Sequence, residues 1–235
     1  MIARATRAKS PTTIKSLYDM TDDELGEYSV SEMSKVKDQF WKFNTDTPGA
    51  RKPRIDWSGE LSDGTHFNDP QHSRRRRWAQ RLVITLLTSP LSGNPPSGTS
   101  LSILQREILV LVAWMSTREI HEIHELSPEI IEIYIDELPR HLGIDPEDED
   151  VGESRYVVAL TCLIRLWEQS TALKRFGIIP MPAHPFSGRG SVTVARAIAK
   201  KVRGWIMPLP DDVAIPLLNK CARKVGQPFN DILRL

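Results

Sequence analysis

Cysteine is nearly absent from this chain of 235 residues, with only Cys162 and Cys221. Each lies in an apolar, helix-like run without metal-type neighbours. That excludes a disulfide framework and fits inert core packing in a reducing compartment. No run of about 18 apolar residues exists to span a membrane. The stretch Met1–Ser16 is basic and polar and lacks the apolar centre of a signal peptide. The chain is therefore expected to be soluble and cytoplasmic. A glycine-rich phosphate loop is also missing: Gly188-Arg189-Gly190 is short and follows no strand. No Ser/His/Asp or Cys/His arrangement suggests a nucleophile, so no cofactor and no small-molecule substrate is indicated. There is no internal repeat and no long low-complexity tract.

What is present is enough apolar sequence for a sizeable core, at 40% of residues, and a formal net charge of +1. That near-neutral total hides segregation. Glu119 to Glu153 carries thirteen acids and a single arginine or lysine, Arg140, whereas Thr171 to Pro210 carries seven bases and no acid. A second basic knot, Ser73 to Arg81, holds five arginines. Segregation of this kind suits a protein that offers one face to a polyanion and another to water.

The patterning predicts a mainly helical chain in three parts. Residues 1–70 read as an irregular N-terminal arm, broken by Pro48-Gly49, Pro53 and Asp63-Gly64. Ile55-Asp56-Trp57 and Asp63-Gly64-Thr65 suggest a short strand and a turn, and Trp41 and Trp57 are expected to dock on the helical domain downstream. Residues 71–175 read as a helical bundle. Trp78, Leu82, Val83, Leu86 and Leu87 mark one helix face. Pro90–Ser97 reads as a loop, and a second helix, capped at Thr99 or Ser100, runs to about Ser116 and is apolar almost all round. Ser127-Pro128-Glu129 is a strong helix start and outweighs the strand-like alternation Ile131-Ile133-Ile135. A fourth helix is expected over Ser154–Leu173. The predicted core is Leu82, Leu86, Leu104, Ile108, Leu111, Trp114, Ile131, Tyr134, Leu138, Leu160, Leu163 and Trp167. Residues 176–235 read as a basic connector, with helices near Val192–Arg203 and from Leu209, ending in the first turn of a truncated following domain.

Two motifs invite chemistry and lose it on inspection. His121-Glu122-Ile123-His124-Glu125 has its histidines three apart rather than four, and two ligands do not make a zinc site, so a solvated loop is expected and no metal. His72-Ser73-Arg74-Arg75 contains His-x-x-Arg but stands alone. The basic runs are more informative. Arginines at the start of a helix oppose its macrodipole, and a phosphate partner would compensate. Arg74, Arg75, Arg76, Arg77 and Arg81, with Lys174, Arg175, Arg189, Arg196, Lys200, Lys201 and Arg203, are the candidate DNA-contacting residues.

Specific residues then resemble a family. Val112-Ala113-Trp114-Met115, Glu119-Ile120-His121, Leu126-Ser127-Pro128-Glu129 and Tyr134-Ile135-Asp136-Glu137-Leu138 look like the helical core-binding domain of tyrosine recombinases. Leu163-Ile164-Arg165-Leu166-Trp167-Glu168 is similar to the last helix of that unit. Pro185-Phe186-Ser187-Gly188-Arg189 and Leu209–Leu217 resemble the connecting segment of large bacterial and phage-type integrases, and Ile55-Asp56-Trp57 their arm. The resemblance spans about Phe40 to the end. It implies a SAM-like helical bundle, part of a site-specific recombinase, that clamps double-stranded DNA while a separate domain cleaves and rejoins strands. Other copies of the same chain on the DNA, in a bacterial, nucleoid-associated setting, are the further partners it implies. The catalytic Arg, His-x-x-Arg and Tyr are not found in order, so the chain as given is expected not to be an enzyme. The competing readings are a helical adaptor whose acidic middle docks a basic protein, and a DNA-binding regulator with no role in recombination.

Overall fold

The computed structural model describes residues 16–45, 49, 51–91, 93–144 and 152–199, together with 213, 215, 216, 219 and 220. The start of the arm, the acidic linker 145–150, Cys221, the expected helix from Leu209 and the final turn lie outside the described residues, apart from those isolated positions.

The chain enters through a 3-10 turn, Leu17–Asp19, and a short helix α1 (Asp22–Gly26). Thr21 starts α1 with a capping box: its hydroxyl accepts from the Glu24 N–H, and the Glu24 carboxylate accepts from the Thr21 N–H. Two small antiparallel sheets come next, β1 (Ser29–Ser31) with β2 (Ser34–Lys35), and β3 (Phe40–Lys42) with β4 (Arg54–Asp56). Trp41 pairs directly with Ile55, and both are fully buried while Lys42 and Arg54 are exposed, the period-two pattern of a strand pair with one covered face.

The helices supply the rest. α2 (Ser73–Thr88) and α3 (Gly98–Thr117) carry much of the core, joined by α4 (Pro128–His141) and α5 (Glu153–Glu168). The Ser127 hydroxyl accepts from the Ile130 N–H and Pro128 occupies the first turn, so the cap decides for helix over strand. α3 begins slightly earlier than the sequence suggests, because Ser97 is the cap, accepting from the Ser100 N–H. That places Gly98 in the first turn, where a Cβ would lie 2.5 Å from the Cβ of Phe43; only glycine admits this approach. The expected helix over 154–173 is divided at Gln169 into α5 and α6 (Ser170–Arg175), where the Ser170 hydroxyl donates to the Trp167 carbonyl and competes with the helical ladder. α7 (Ser191–Ile198) packs along α5, with a Thr161–Ser191 hydroxyl contact at 3.1 Å.

The core matches the expected apolar set except at Leu104 and Trp167, which are partly buried. It also extends well beyond that set. Residues 16–70 are not an extended arm where described: Leu25, Val36, Trp41, Phe43, Ile55, Trp57, Leu61 and Phe67 are buried in one cluster with α2 and α3. Trp41 meets Trp57 edge-on at 4.9 Å, and Trp57 approaches Phe67 at 6.2 Å. The Ser102 hydroxyl and the Gln105 amide of α3 donate to the carbonyls of Arg54 and Asp56, tying β4 to that helix. No helix among the described residues is long and apolar enough to cross a membrane.

The aromatic stack makes the N-terminal segment part of the cooperative unit. Trp41→Ala is expected to lower the unfolding free energy by about 3–5 kcal/mol in urea melts followed at Trp114 and Trp78. A loss below about 1 kcal/mol would mean that the segment is an appended arm after all.

Candidate nucleic-acid interface

The arginine knot lies in the first turns of α2. At 3.6 residues per turn, Arg74, Arg77 and Arg81 share one side of the helix and Arg75 points about 200° away from Arg77. The two sides have different fates. Arg75 is buried: its Nε donates to the Ile120 carbonyl at 2.7 Å, and its guanidinium lies 3.1 Å from His72 Nδ1. An arginine only donates, so Nδ1 is the acceptor and neutral His72 carries its proton on Nε2, facing Thr65 Oγ1 at 2.8 Å. The Thr65 hydroxyl in turn donates to Asp63 at 2.6 Å. Burial, then the Arg75 charge, holds the His72 pKa below its ordinary 6.5. The expected DNA contact at Arg75 is therefore corrected: its guanidinium is committed inside the protein.

The turn that receives Arg75 is itself unusual. The Ile120 and Glu119 N–H groups donate to the Met115 and Ser116 carbonyls, a Schellman arrangement with Glu119 at φ 57°. The equivalent positions after α4 and α6 are Gly143 and Gly177. Glutamate adopts this conformation at a cost, and the bond from Arg75 to the next carbonyl helps fix it.

The other side of α2 faces a groove. Arg74, Arg76, Arg77 and Arg81 of α2 line it on one side, and Leu25, Val36, Lys37 and a single acid, Asp22, on the other, where the Lys37 N–H bonds the Gly26 carbonyl of α1. Its volume is about 440 Å³. Arg74 and Arg77 are exposed at its wall. Arg76 is partly buried and donates to the Phe67 carbonyl at 3.0 Å. Arg81 is only 6% exposed and forms the floor, donating to Asp22 and to the Arg77 carbonyl. Lys37 is ion-paired with Glu27.

The described bases of the second run sit on separate elements. Lys174 and Arg175 are exposed at the end of α6, which packs on α2. The Arg175 guanidinium stacks 3.6 Å over the ring of Tyr18, whose hydroxyl meets Ser89 just beyond α2. These two bases thus stand near the C-terminal end of α2, around Tyr18 and Ser89. Arg189 is exposed after the loop that His184 organises by accepting from the Phe186 and Gly188 N–H groups. Arg196 pairs with Glu153 on the α5–α7 side. Lys200, Lys201 and Arg203 lie outside the described residues.

Several of the described acids of the stretch from Glu119 are engaged away from this groove. Glu122 and Glu125 cap the 3-10 turn Ile123–Glu125, with the Glu125 carboxylate accepting from the His121 and Glu122 N–H groups. This loop meets α2 from the Arg75 side. Glu137 accepts from Arg118 and from the Trp114 indole. Among the described residues no group of three or more His, Cys, Asp or Glu side chains is placed to hold a metal. Cys162 is buried and its thiol pKa is pushed far up, so it is protonated and inert. Spacing alone could have separated Arg75 from Arg74, Arg77 and Arg81. Nothing local in the sequence signals that Lys37 and Asp22 complete their groove.

These environments set two expected outcomes. Arg75→Ala leaves the Ile120 carbonyl unpaired and should cost about 1–3 kcal/mol, whereas Arg74→Ala should stay within about 0.5 kcal/mol of the parent in the same melts. Acidification should also destabilise the fold through His72. The unfolded chain takes up the proton as pH falls below 6.5 while folded His72 resists it, so stability is full above that pH and declines beneath it. Half-buried His141 acts in the same direction. The His72 share is therefore read as the difference in stability loss between pH 7.5 and pH 5 for the parent and His72→Gln. Equal losses would contradict it.

Set beside known proteins, no family model matches the chain, and no curated protein or solved structure matches it either.

Proposed function

We propose that the chain binds double-stranded DNA through the groove side of α2, as the non-catalytic N-terminal part of a tyrosine-recombinase-like integrase, with a core-binding bundle of the SAM-like type. The observation that carries the DNA reading is the groove itself: five basic side chains and one acid on a surface formed by two distant parts of the chain. Asp22 pairs with Arg81 and Glu27 with Lys37, and the positive charge left over is relieved by a polyanion, whose condensed counterions are released on binding. Exposed Lys174 and Arg175, on a helix that packs on α2, add to the basic character near it. The recombinase assignment rests on the sequence resemblance, in which catalysis belongs to another domain.

The adaptor reading is weaker because the acidic stretch uses several of its carboxylates internally. Glu122 and Glu125 bond backbone N–H groups, Glu129 bonds Ser127, Glu137 bonds Arg118 and Trp114, and Glu153 bonds Arg196.

Fluorescence anisotropy with a duplex of about 25 base pairs at several salt concentrations tests the proposal. The parent should bind with a steep salt dependence, and the Arg74→Ala/Arg77→Ala double variant should lose about 0.9 in logarithmic slope for each phosphate contact removed. Absence of binding at low salt, or an unchanged slope in a folded double variant, would refute it.

A further inference from the structure

The floor of the α2 groove is an arginine with an incomplete set of partners. Arg81 is 6% exposed, and its Nε is buried without a hydrogen-bond partner. Its guanidinium donates to the Arg77 carbonyl and to one Asp22 oxygen, while the other Asp22 oxygen lies 3.9 Å from Arg77 Nε. A buried guanidinium needs a close anion, since an uncompensated charge in a low-dielectric site is costly. The anion supplied is a poor fixture: the Asp22 side chain is 71% exposed. The exposed Asp22 carboxylate can therefore be exchanged for another anion that keeps Arg81 compensated, and no other acid among the described residues lines the groove.

We propose that this groove is a seat for one phosphate group, that Asp22 is its resident stand-in, and that an incoming phosphate displaces the Asp22 carboxylate from Arg77 and Arg81. The inference deepens the DNA-binding reading and rests on it for the source of the phosphate, a backbone diester. A phosphate oxygen in place of Asp22 meets the same Arg81 and Arg77 donors, and exposed Arg74 lines the same groove. No bond is made or broken; the step is an exchange of anions. Asp22 then sets the affinity threshold, because binding must first break its ion pair.

A purely structural ion pair and a seat with a displaceable occupant respond oppositely to Asp22→Asn. The full chain and its Asp22→Asn and Asp23→Asn variants are compared. Asp23 neighbours Asp22 and carries the same charge, but it does not line the groove. Thermal melts are run at constant ionic strength with chloride exchanged for inorganic phosphate, and duplex affinity is read by anisotropy. Phosphate should raise the melting temperature of the parent relative to chloride, and more so for Asp22→Asn than for Asp23→Asn. Duplex affinity should rise about 3-fold or more for Asp22→Asn beyond any rise for Asp23→Asn, of the order set by removing one competing surface ion pair. Asp22→Ser serves as the second variant if Asp22→Asn does not fold. A phosphate-specific shift without duplex binding supports the seat, assigns it to a free phosphate and removes the DNA reading. Duplex binding with no phosphate-specific shift and equal effects of the two aspartate variants overturns the seat and keeps the DNA reading. Weaker duplex binding by folded Asp22→Asn also overturns it.

Discussion

The bond from Arg75 to the Ile120 carbonyl is the contact on which the placement of the basic face depends. It buries a guanidinium against neutral acceptors, which is unfavourable unless the hydrogen bonds are well formed. They are: Nε reaches the Ile120 carbonyl at 2.7 Å, and the chain continues through His72 and Thr65 to the Asp63 carboxylate. One side chain thus joins the turn after β4, the start of α2 and the end of α3. With Arg75 fixed inward, helical geometry turns Arg74 and Arg77 outward. The buried arginine orients the exposed ones, and His72 can serve it only while neutral.

The groove also needs its far wall. α1 and the residues just after β2 carry Asp22, Leu25, Val36 and Lys37, and the aromatic stack packs in the same core cluster as Leu25 and Val36. Trp41, Trp57 and Phe67 form that stack, and the Trp41 indole donates to the Val36 carbonyl at 3.2 Å. The Tyr18 hydroxyl to Ser89 and the Arg175 guanidinium over Tyr18 fasten the opposite end. Core packing and surface charge are coupled here: large apolar side chains of the N-terminal segment position polar ones that line the groove.

Much of the helical part was legible in the sequence, for identifiable reasons. The Ser127-Pro128 cap and the spacing of Ile131, Tyr134 and Leu138 are local signals, and local signals fix helices. The division at Gln169 was not legible, since it depends on where the Ser170 hydroxyl points. Residues 16–70 misled for a different reason. Their glycines, prolines and short apolar runs read as an arm, and only the long-range pairing of Trp41 with Ile55 and of β4 with α3 makes them core. The arginine knot was legible as a charge cluster. Its division into inward Arg75, floor Arg81 and outward Arg74 and Arg77 arises from helical periodicity joined to tertiary contacts at Ile120 and Asp22, and those contacts lie 45 and 59 residues away in the chain.

The central claim is that the groove side of α2, and not the acidic helix α4, meets DNA. Backbone amide shifts of the isotope-labelled chain, followed while a duplex of about 25 base pairs is titrated in, test it most directly. The account predicts that the largest changes fall on residues 22–26, 36–37 and 73–81, with smaller ones at 174–175 and little at 128–137. Changes concentrated on α4, or spread evenly over the surface, would contradict it.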